Sequence, residues 1–391
     1  MIDRGTNDRN RLLKPILTGY LVMAFNDMVA PISGTISAEY GAQWSSLISF
    51  LPSMTFVWYL LLAVPVASLM CRLGRKPIVM ASYVLTIIGL MTPFMAGDGC
   101  HLAWYFVGFG LLGWGNLALQ VSLNPMLAML SSPDRITRNI TLGQVFRNTA
   151  LMLFAPFMLL ASNTLGDWRW LLALCAAVTL VGAVWIGKVY RPINEQQLHR
   201  VSLGQCFALL KCRGVRIGVA GMALFVMSDV ACGFLSSRLI ADELSLLTTT
   251  GYYACRFVGA LFAIWALQRW SDKRFLRWNL LVAMAAVGCL MLCRTERLYY
   301  LLFAILGFAF ATPFATFYSV AMKGSGSHED EVAGLLVMAI SAGALSGPIC
   351  NAMIGFAGSA NVAGSFVGCC LVGMWILTKR SEHTPKQQKK N

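Results

Sequence analysis

Two carboxylates and two guanidinium groups stand where the surrounding sequence is almost entirely apolar. Asp27 lies in the stretch AFNDMVAP and Asp229 in VMSDVACG, while Arg147 and Arg256 lie in QVFRNTAL and YACRFVGA. A charge at the centre of an apolar membrane helix costs about 2.5–3.5 kcal/mol even on the mildest scale. Ionisable groups at such depth usually couple to an ion or bind a substrate, so these four residues are the first candidates for a site.

A carboxylate desolvated in a cavity can take up and release protons near neutral pH. We therefore predict Asp27 and Asp229 as proton-coupling groups, with Arg147 and Arg256 as charge partners that pair in one conformation and separate in another. The alternatives stay open at this point: either acid can be a structural partner of an arginine or cap a broken helix, and Arg147 can extend to the membrane interface.

Amide and aromatic side chains recur in the same apolar stretches. Sugars are bound by amides that hydrogen-bond their hydroxyl groups in a cavity with aromatic and apolar walls. Any single amide can instead be a helix–helix contact, but eight polar residues at membrane depth, with Asn116, Asn148 and Asn351 among them, favour a water-filled cavity. The predicted substrate-binding residues are Asn26, Gln120, Asn124, Gln144, Phe146, Phe314 and Tyr318.

The elements that must position these residues are long apolar stretches. Of the 391 residues, 57% are hydrophobic and only 12% charged, with a mean hydropathy of +0.65, whereas soluble domains are about 25% charged. A helix of about 20 apolar residues spans a bilayer, and lipid offers no partners to backbone groups outside helices or closed barrels. We predict an all-α membrane protein with twelve spans at 14–37, 46–70, 77–97, 101–129, 138–162, 168–189, 215–239, 246–269, 277–294, 298–322, 331–356 and 359–379.

The net charge of +14 reflects membrane topology rather than binding to nucleic acid. Most of the 31 basic residues fall on the N-terminus, the even-numbered connections between spans and the C-terminus. Excess Lys and Arg mark the cytoplasmic side, so both termini are predicted to be cytoplasmic. The polar, mixed-charge first thirteen residues and the lack of a cleavage pattern predict a retained first span rather than a signal peptide.

Cysteine and histidine patterns predict neither a disulfide framework nor a metal site. The 12 cysteines are scattered and form no CxxC pair, and none of the four histidines falls at mid-membrane depth. We therefore interpret the cysteines as small apolar core residues. We expect no cofactor other than a proton as the coupling ion.

The chain divides into two halves at its longest connection. Residues 1–189 are predicted to form an N-terminal six-helix half, 190–214 a cytoplasmic linker with a short helix near Leu203–Leu210, 215–379 a C-terminal six-helix half and 380–391 a cytoplasmic tail. Asp229 sits in the seventh span as Asp27 sits in the first, and the basic connection CRLGRK is echoed by QRWSDKR. Six-span halves related in this way, with a site between them, are a transporter architecture.

Several motifs resemble those of a known family. RLGRKPIV after the second span resembles the loop motif of the major facilitator superfamily, with Ala67 and Cys71 where the motif has Gly and Asp. Within it the chain is similar to the fucose permease-like sugar:proton symporters over nearly its whole length. QVSLNP (120–125) resembles the family's Glu-Thr-Ala-Ala-Asn-Pro and NITLGQVFRN (139–148) its Asn-Leu-Ala-Gln-x-Phe-Asn. The FND of the first span, SDVACGFL, CRFVGA, FATFYSVAMKG and GLLVMAISAGA also match.

The resemblance implies the major facilitator fold and uptake of a monosaccharide with a proton by alternating access. The family's two proton-handling residues are an Asp in span 1 and a Glu in span 4. The first corresponds to Asp27, but the second corresponds to Gln120, which cannot titrate. Coupling then depends on Asp27 alone or with Asp229, or it is absent and the protein is a uniporter. Gln144 falls in the span 5 motif and is a predicted sugar ligand.

Other function classes receive less support from the sequence. A drug or metabolite exporter of this superfamily carries a glycine-rich motif in span 5, which NTALMLFAPFMLL lacks. An enzyme needs clustered His, Asp and Glu or a nucleophile–base pair, and a sensor needs a longer soluble extension than KRSEHTPKQQKKN. We therefore predict a monomeric sugar transporter, not an enzyme, in the inner membrane of a bacterium.

Overall fold

The computed structural model describes residues 2–96, 102–190, 201–240, 242–326 and 328–382. Within these ranges the chain forms seventeen α-helices joined by turns and short 3₁₀ segments, without β-strands. Parts of the predicted linker (191–200) and tail (383–391) lie outside the described residues. The helices are α1 (Ile2–Asp27), α2 (Val29–Tyr40), α3 (Ala42–Ile48), α4 (Leu51–Leu73), α5 (Arg75–Met91), α6 (Leu102–Met129), α7 (Ile136–Leu165), α8 (Trp170–Val189), α9 (Leu203–Ala208), α10 (Arg213–Leu239), α11 (Asp242–Ala266), α12 (Asp272–Leu292), α13 (Glu296–Ala309), α14 (Pro313–Lys323), α15 (Glu329–Ile340), α16 (Ser346–Ala357) and α17 (Gly364–Glu382).

The helices build the predicted bundle of twelve membrane spans in two six-helix halves. Eleven stretches of the described chain are long and apolar enough to cross a membrane. The predicted span 246–269 is not among them, because it carries Arg256 and the polar run Thr248–Thr250. It nevertheless forms α11, a helix of 25 residues that packs against α7 and α13 and completes the twelve.

Four spans that the sequence interpretation treats as continuous are broken in the structure. One to three non-helical residues separate α1 from α2, α3 from α4 and α13 from α14. A 3₁₀ turn separates α15 from α16. A proline ring inside a helix clashes with the carbonyl group four residues before it. Each break follows this rule, with Pro52 after Ile48, Pro31 after Asp27, Pro313 after Ala309 and Pro348 after Ala344.

Close helix packing holds each half together. In the first half α5 packs against α6 and α8, and α1 packs against α6, α7 and α8. Gly89 and Gly108 let α5 and α6 approach, since a Cβ atom at Gly89 would lie 2.6 Å from the Gly108 carbonyl oxygen. In the second half α10 packs against α14 and α17, and α12 against α13 and α17. Small residues at such crossings are the usual means of bringing membrane helices together.

The two halves are joined at one end of the bundle, where α4 packs against α15 and α7 against α11. Arg75 donates a 2.7 Å hydrogen bond to Asp330, and Thr137 donates a 2.6 Å bond to Asp272. The linker helix α9 packs beneath the junction, against both α4 and α15. We call this the basic end, defined by Arg72, Arg75, Lys76, Arg269 and Lys273.

At the other end of the bundle, small exposed residues on both halves lead us to infer an opening between them. The exposed face of α2 carries Ala30, Gly34 and Ala38, and that of α10 carries Gly233 and Ser237. A Cβ atom at Gly34 or Gly233 would meet no other atom within 4 Å. Small and polar exposed residues are typical of a face that borders water, whereas faces against lipid carry large apolar side chains. We call the space between the halves on this side the central cleft.

Candidate functional site

The first charge pair, Asp27 with Arg147, lies at the break between α1 and α2. Asp27 is the last residue of α1, and Arg147 of α7 donates two parallel hydrogen bonds to its carboxylate, Nε to Oδ2 at 2.6 Å and Nη2 to Oδ1 at 2.8 Å. The Asp27 side chain is 22% exposed and that of Arg147 16%. A pair at this depth that keeps some accessible surface borders the central cleft.

The second charge pair belongs to the other half. Arg256 of α11 contacts both carboxylate oxygens of Asp229, at 3.0 and 2.9 Å, and the Tyr252 hydroxyl donates a third hydrogen bond of 2.6 Å to the same carboxylate. Tyr252 and Arg256 are four residues apart on α11 and so share one face of the helix. The Asp229 side chain is 24% exposed, which places this pair on the cleft as well.

Helix packing brings the two pairs towards each other, since α7 carries Arg147 and contacts α11, which carries Arg256. Tyr253 lies within electrostatic reach of both carboxylates and both guanidinium groups. Immediately on the basic side of the pairs, Val145 and Ala260 form an apolar cluster with Ala311. We call these three residues the apolar floor. It separates the charged groups from the basic end.

A row of buried amides runs along α6 beside the first charge pair. Asn116, Gln120 and Asn124 are spaced four apart and line one face of the helix, and each is at most 2% exposed. The Tyr59 hydroxyl accepts hydrogen bonds from the amide groups of Asn116 and Gln120, both 2.8 Å long. The Tyr20 hydroxyl donates a 2.6 Å bond to Asn124. We call these three amides the amide row.

Many polar atoms around the amide row have no hydrogen-bond partner in the described part of the chain. A buried polar atom without a partner is costly and in native proteins usually meets a partner, water or ligand. The atoms of this kind on α6, α7 and α14 include both donors and acceptors, the groups that pair with the hydroxyl groups of a sugar. They are Asn116 Oδ1, Gln120 Oε1, Asn124 Nδ2, Gln144 Nε2, Asn148 Nδ2 and the Tyr318 hydroxyl.

The remaining predicted ligands lie close to other elements of the bundle. Asn26 is 7% exposed and accepts a 3.0 Å hydrogen bond from the Thr55 hydroxyl. Phe314 and Tyr318 stack one turn apart on α14, with ring centroids 6.1 Å apart. Phe146 is partly buried against the main core. All the predicted site residues therefore lie on spans that meet between the halves, although the contacts of Phe146 are those of packing.

Sequence reasoning missed the tyrosines that organise the site. Tyr59, Tyr20 and Tyr252 each hydrogen-bond a predicted site residue that is distant in the sequence. The contact of Tyr252 could have been predicted from the sequence, since Tyr252 lies one helical turn before Arg256 and so on the same face of the helix. The pairing of Tyr59 with Gln120 joins residues 61 positions apart and has no local signature.

Replacing Tyr59 with Phe is expected to weaken both substrate binding and the fold. The change leaves two buried amide groups without their acceptor, and each unsatisfied group costs about 1–3 kcal/mol. We expect a lower melting temperature of the purified protein and a higher half-saturation concentration for transport. Tyr83→Phe is the matched control, because the buried Tyr83 hydroxyl makes no hydrogen bond in the described structure. Equal behaviour of the two variants would contradict the role given to Tyr59.

The sequence is similar to those of known membrane transporters. The sequence profile of the Major Facilitator Superfamily matches residues 16–348. The chain is 23% identical over 343 residues to a glucose/galactose transporter of Brucella abortus, covering 83% of this chain and 82% of the relative. It is 21% identical over 370 residues to the L-fucose-proton symporter of Escherichia coli, covering 85% and 84%.

The fold is likewise similar to a solved transporter structure. FucP, a major facilitator superfamily transporter in the outward conformation, superimposes with a TM-score of 0.80 at 17% sequence identity, covering 95% of this chain and 97% of FucP. At this identity the match concerns the fold. Among the described residues no group of three or more His, Cys, Asp and Glu side chains is placed to hold a metal ion.

Proposed function

The chain belongs to the major facilitator superfamily, and from this premise we propose that it is a secondary active transporter, not an enzyme, that imports a monosaccharide or sugar-like solute with a proton. The names of its relatives support a sugar-like substrate, since they include a glucose/galactose transporter and an L-fucose-proton symporter. Alternating access of a site between two rigid halves is the mechanism that this architecture serves.

The observation that carries the proposal is the amide row with its unpaired polar atoms beside a charge pair that borders the cleft. Amide donors and acceptors in one region match the hydroxyl groups of a sugar. We propose Asn26, Gln120, Asn124 and Gln144 as substrate contacts, with Phe314 and Tyr318 as a stacked wall. We also propose Phe146 as a substrate contact, although it packs against core residues.

Asp27 is the proposed proton-coupling group. It is held by one side chain among the described residues, Arg147, so protonation needs to break only that contact. Asp229 is held by three hydrogen bonds from two residues and is the proposed second group. Gln120 bonds to Tyr59 and takes no part in proton transfer. A uniporter or an exporter of a small amphipathic metabolite remains the alternative.

Membrane placement is proposed from charge. The basic end carries the excess of Lys and Arg that marks the cytoplasmic side, which supports cytoplasmic termini and a central cleft that faces the outside. We propose a monomer in the bacterial inner membrane, built from 1–189, the linker 190–214, 215–379 and the tail 380–391. In this arrangement the structure represents the state that receives solute from outside.

Uptake into proteoliposomes tests the proposed function. Labelled neutral hexoses, 6-deoxyhexoses and hexuronates are offered with an inward proton gradient, without it, and with a protonophore. We expect at least one of these solutes to accumulate above equilibrium only when the gradient is present. Equilibration without accumulation would indicate a uniporter, and the absence of any protein-dependent uptake would overturn the assignment to sugar-like solutes.

A further inference from the structure

The geometry of Arg147 is that of a carboxylate-binding site that the protein itself occupies. Its guanidinium group presents two parallel donors to Asp27, at 2.6 and 2.8 Å, the arrangement that arginine offers to any carboxylate. Arginine stays charged in proteins, and its planar fork makes it the preferred residue for recognising anions. A second carboxylate can therefore take the same place once Asp27 no longer occupies it.

The charges of this half differ from those of the motifs that the chain resembles. The span 4 motif has Glu where this chain has Gln120, and the span 5 motif Gln-x-Phe-Asn has Asn where this chain has Arg147. One negative charge is thus lost and one positive charge gained. Asp27 alone balances Arg147 in the described part of this half's site, and protonation of Asp27 leaves the site with an uncompensated positive charge.

The groups that face Asp27 come from several helices. Arg147 of α7 bonds to it directly, and Tyr59 of α4 and Tyr253 of α11 lie within electrostatic reach. Arg256 faces the same region but keeps its own carboxylate, Asp229, through contacts to both oxygens. Asp229 is also held by the Tyr252 hydroxyl, whereas Arg147 is the one described side chain that bonds to Asp27, so Arg147 is the guanidinium group that a solute can engage.

The amide row belongs to the same site as this guanidinium group. The Tyr59 hydroxyl accepts hydrogen bonds from Asn116 and Gln120 and interacts electrostatically with both Arg147 and Asp27. A solute that reaches from Arg147 to the amide row therefore needs a carboxylate at one end and hydroxyl groups along its length. Sugar acids have this composition.

We infer that the transported solute is a monoanionic sugar acid, of the hexuronate or aldonate class, whose carboxylate replaces that of Asp27 on Arg147. This inference rests on the proposed function and narrows its substrate. A proton from outside binds the Asp27 carboxylate, the Asp27–Arg147 pair opens, and the carboxylate of the solute forms the two hydrogen bonds to Arg147. On the cytoplasmic side the solute leaves, Asp27 releases the proton and the original pair forms again.

Charge movement in wild-type proteoliposomes tests the inference without any variant. One proton and one monoanion carry no net charge, whereas a proton and a neutral hexose carry one positive charge. We expect D-galacturonate or D-glucuronate to accumulate at least about tenfold better than the matching neutral hexose, a difference of about 1.4 kcal/mol. We expect a pH gradient to drive its uptake and an imposed membrane potential to leave uptake unchanged.

A double substitution that returns both positions to the residues of the motifs provides the second test. Arg147→Asn with Gln120→Glu is expected to move the preference from the hexuronate to the neutral hexose and to make transport electrogenic. Arg294→Asn, which removes an exposed arginine in the connection between α12 and α13, is the matched control and should keep the wild-type preference.

The outcomes separate this inference from the proposed function. Gradient-driven accumulation of neutral hexoses with no uptake of hexuronates would leave the proposed function intact and overturn the inference. Uptake of hexuronates that an imposed membrane potential drives would also overturn it. Absence of uptake of every solute in both classes would overturn the proposed function and the inference together.

Discussion

Asp27→Asn is expected to abolish gradient-driven accumulation while leaving exchange of solute across the membrane in place. Asparagine keeps the size of the side chain and can still accept a hydrogen bond from Arg147, but it cannot bind and release the coupling proton. The site therefore still loads and reorients, and net uptake stops at equilibrium. The measurement is uptake of labelled solute into proteoliposomes under an inward proton gradient, compared with counterflow without a gradient.

Water in the central cleft limits how much Asp27→Asn destabilises the folded protein. Removing one partner of a buried ion pair destabilises a protein by about 3–5 kcal/mol. The side chains of Asp27 and Arg147 are 22% and 16% exposed, so water in the cleft solvates the remaining guanidinium group and the cost is smaller. We expect the variant to fold, and its melting temperature with and without substrate checks this expectation.

Asp229→Asn tests the second proposed coupling group in the same assay. It removes the other cleft carboxylate, which Arg256 and Tyr252 hold. If Asp229→Asn abolishes accumulation and Asp27→Asn does not, coupling belongs to the second half. If accumulation survives both single substitutions and their combination, proton binding at either carboxylate is ruled out.

Gly334→Leu is expected to force the basic end apart and favour the opposite orientation of the transporter. A Cβ atom at Gly334 would lie 2.5 Å from the Ala67 Cβ and 3.1 Å from the Ala63 carbonyl oxygen, so α15 and α4 must separate to admit a larger side chain. Overpacking of this kind costs about 1–3 kcal/mol, enough to shift an equilibrium between two states about fivefold or more.

Thiol labelling reports the separation. Cys71 lies one turn beyond Ala67 on α4 and is 4% exposed, so the closed basic end protects it. We expect a maleimide to modify Cys71 faster in Gly334→Leu than in the wild type, with the site identified by mass spectrometry. Gly347→Leu is the control, since a side chain at Gly347 meets nothing within 4 Å. Equal labelling in both variants would contradict a closed junction at Gly334.

The sequence predicted the bundle because its signals are local. A long apolar stretch must become a membrane helix whatever its neighbours, and α11 was recognised although Arg256 lowers its hydropathy. The breaks in four spans had a local signal as well, in Pro31, Pro52, Pro313 and Pro348, which the span prediction did not use. Prolines alone would not have selected these four positions, because Pro15, Pro65, Pro125 and Pro156 lie inside helices that continue without a break.

The charged residues and their role as charge partners could be predicted from the sequence, but which acid pairs with which arginine could not. Asp27 and Arg147 stand out because apolar surroundings make any charge conspicuous. Their pairing depends on the packing of α1 against α7, which brings residues 120 positions apart together. Nothing near Tyr59 in the sequence shows that its hydroxyl meets the amide row. Contacts of this kind follow from tertiary packing alone.

The helix breaks allow closure of the cleft to proceed in two stages. Because short breaks separate α2 from α1 and α16 from α15, the outer segments can tilt over bound solute while α4 and α15 stay packed at the basic end. The apolar floor remains in place during this tilt, so solute is enclosed before any passage opens beneath it. In this order of events the outer side closes over the solute before the basic end opens.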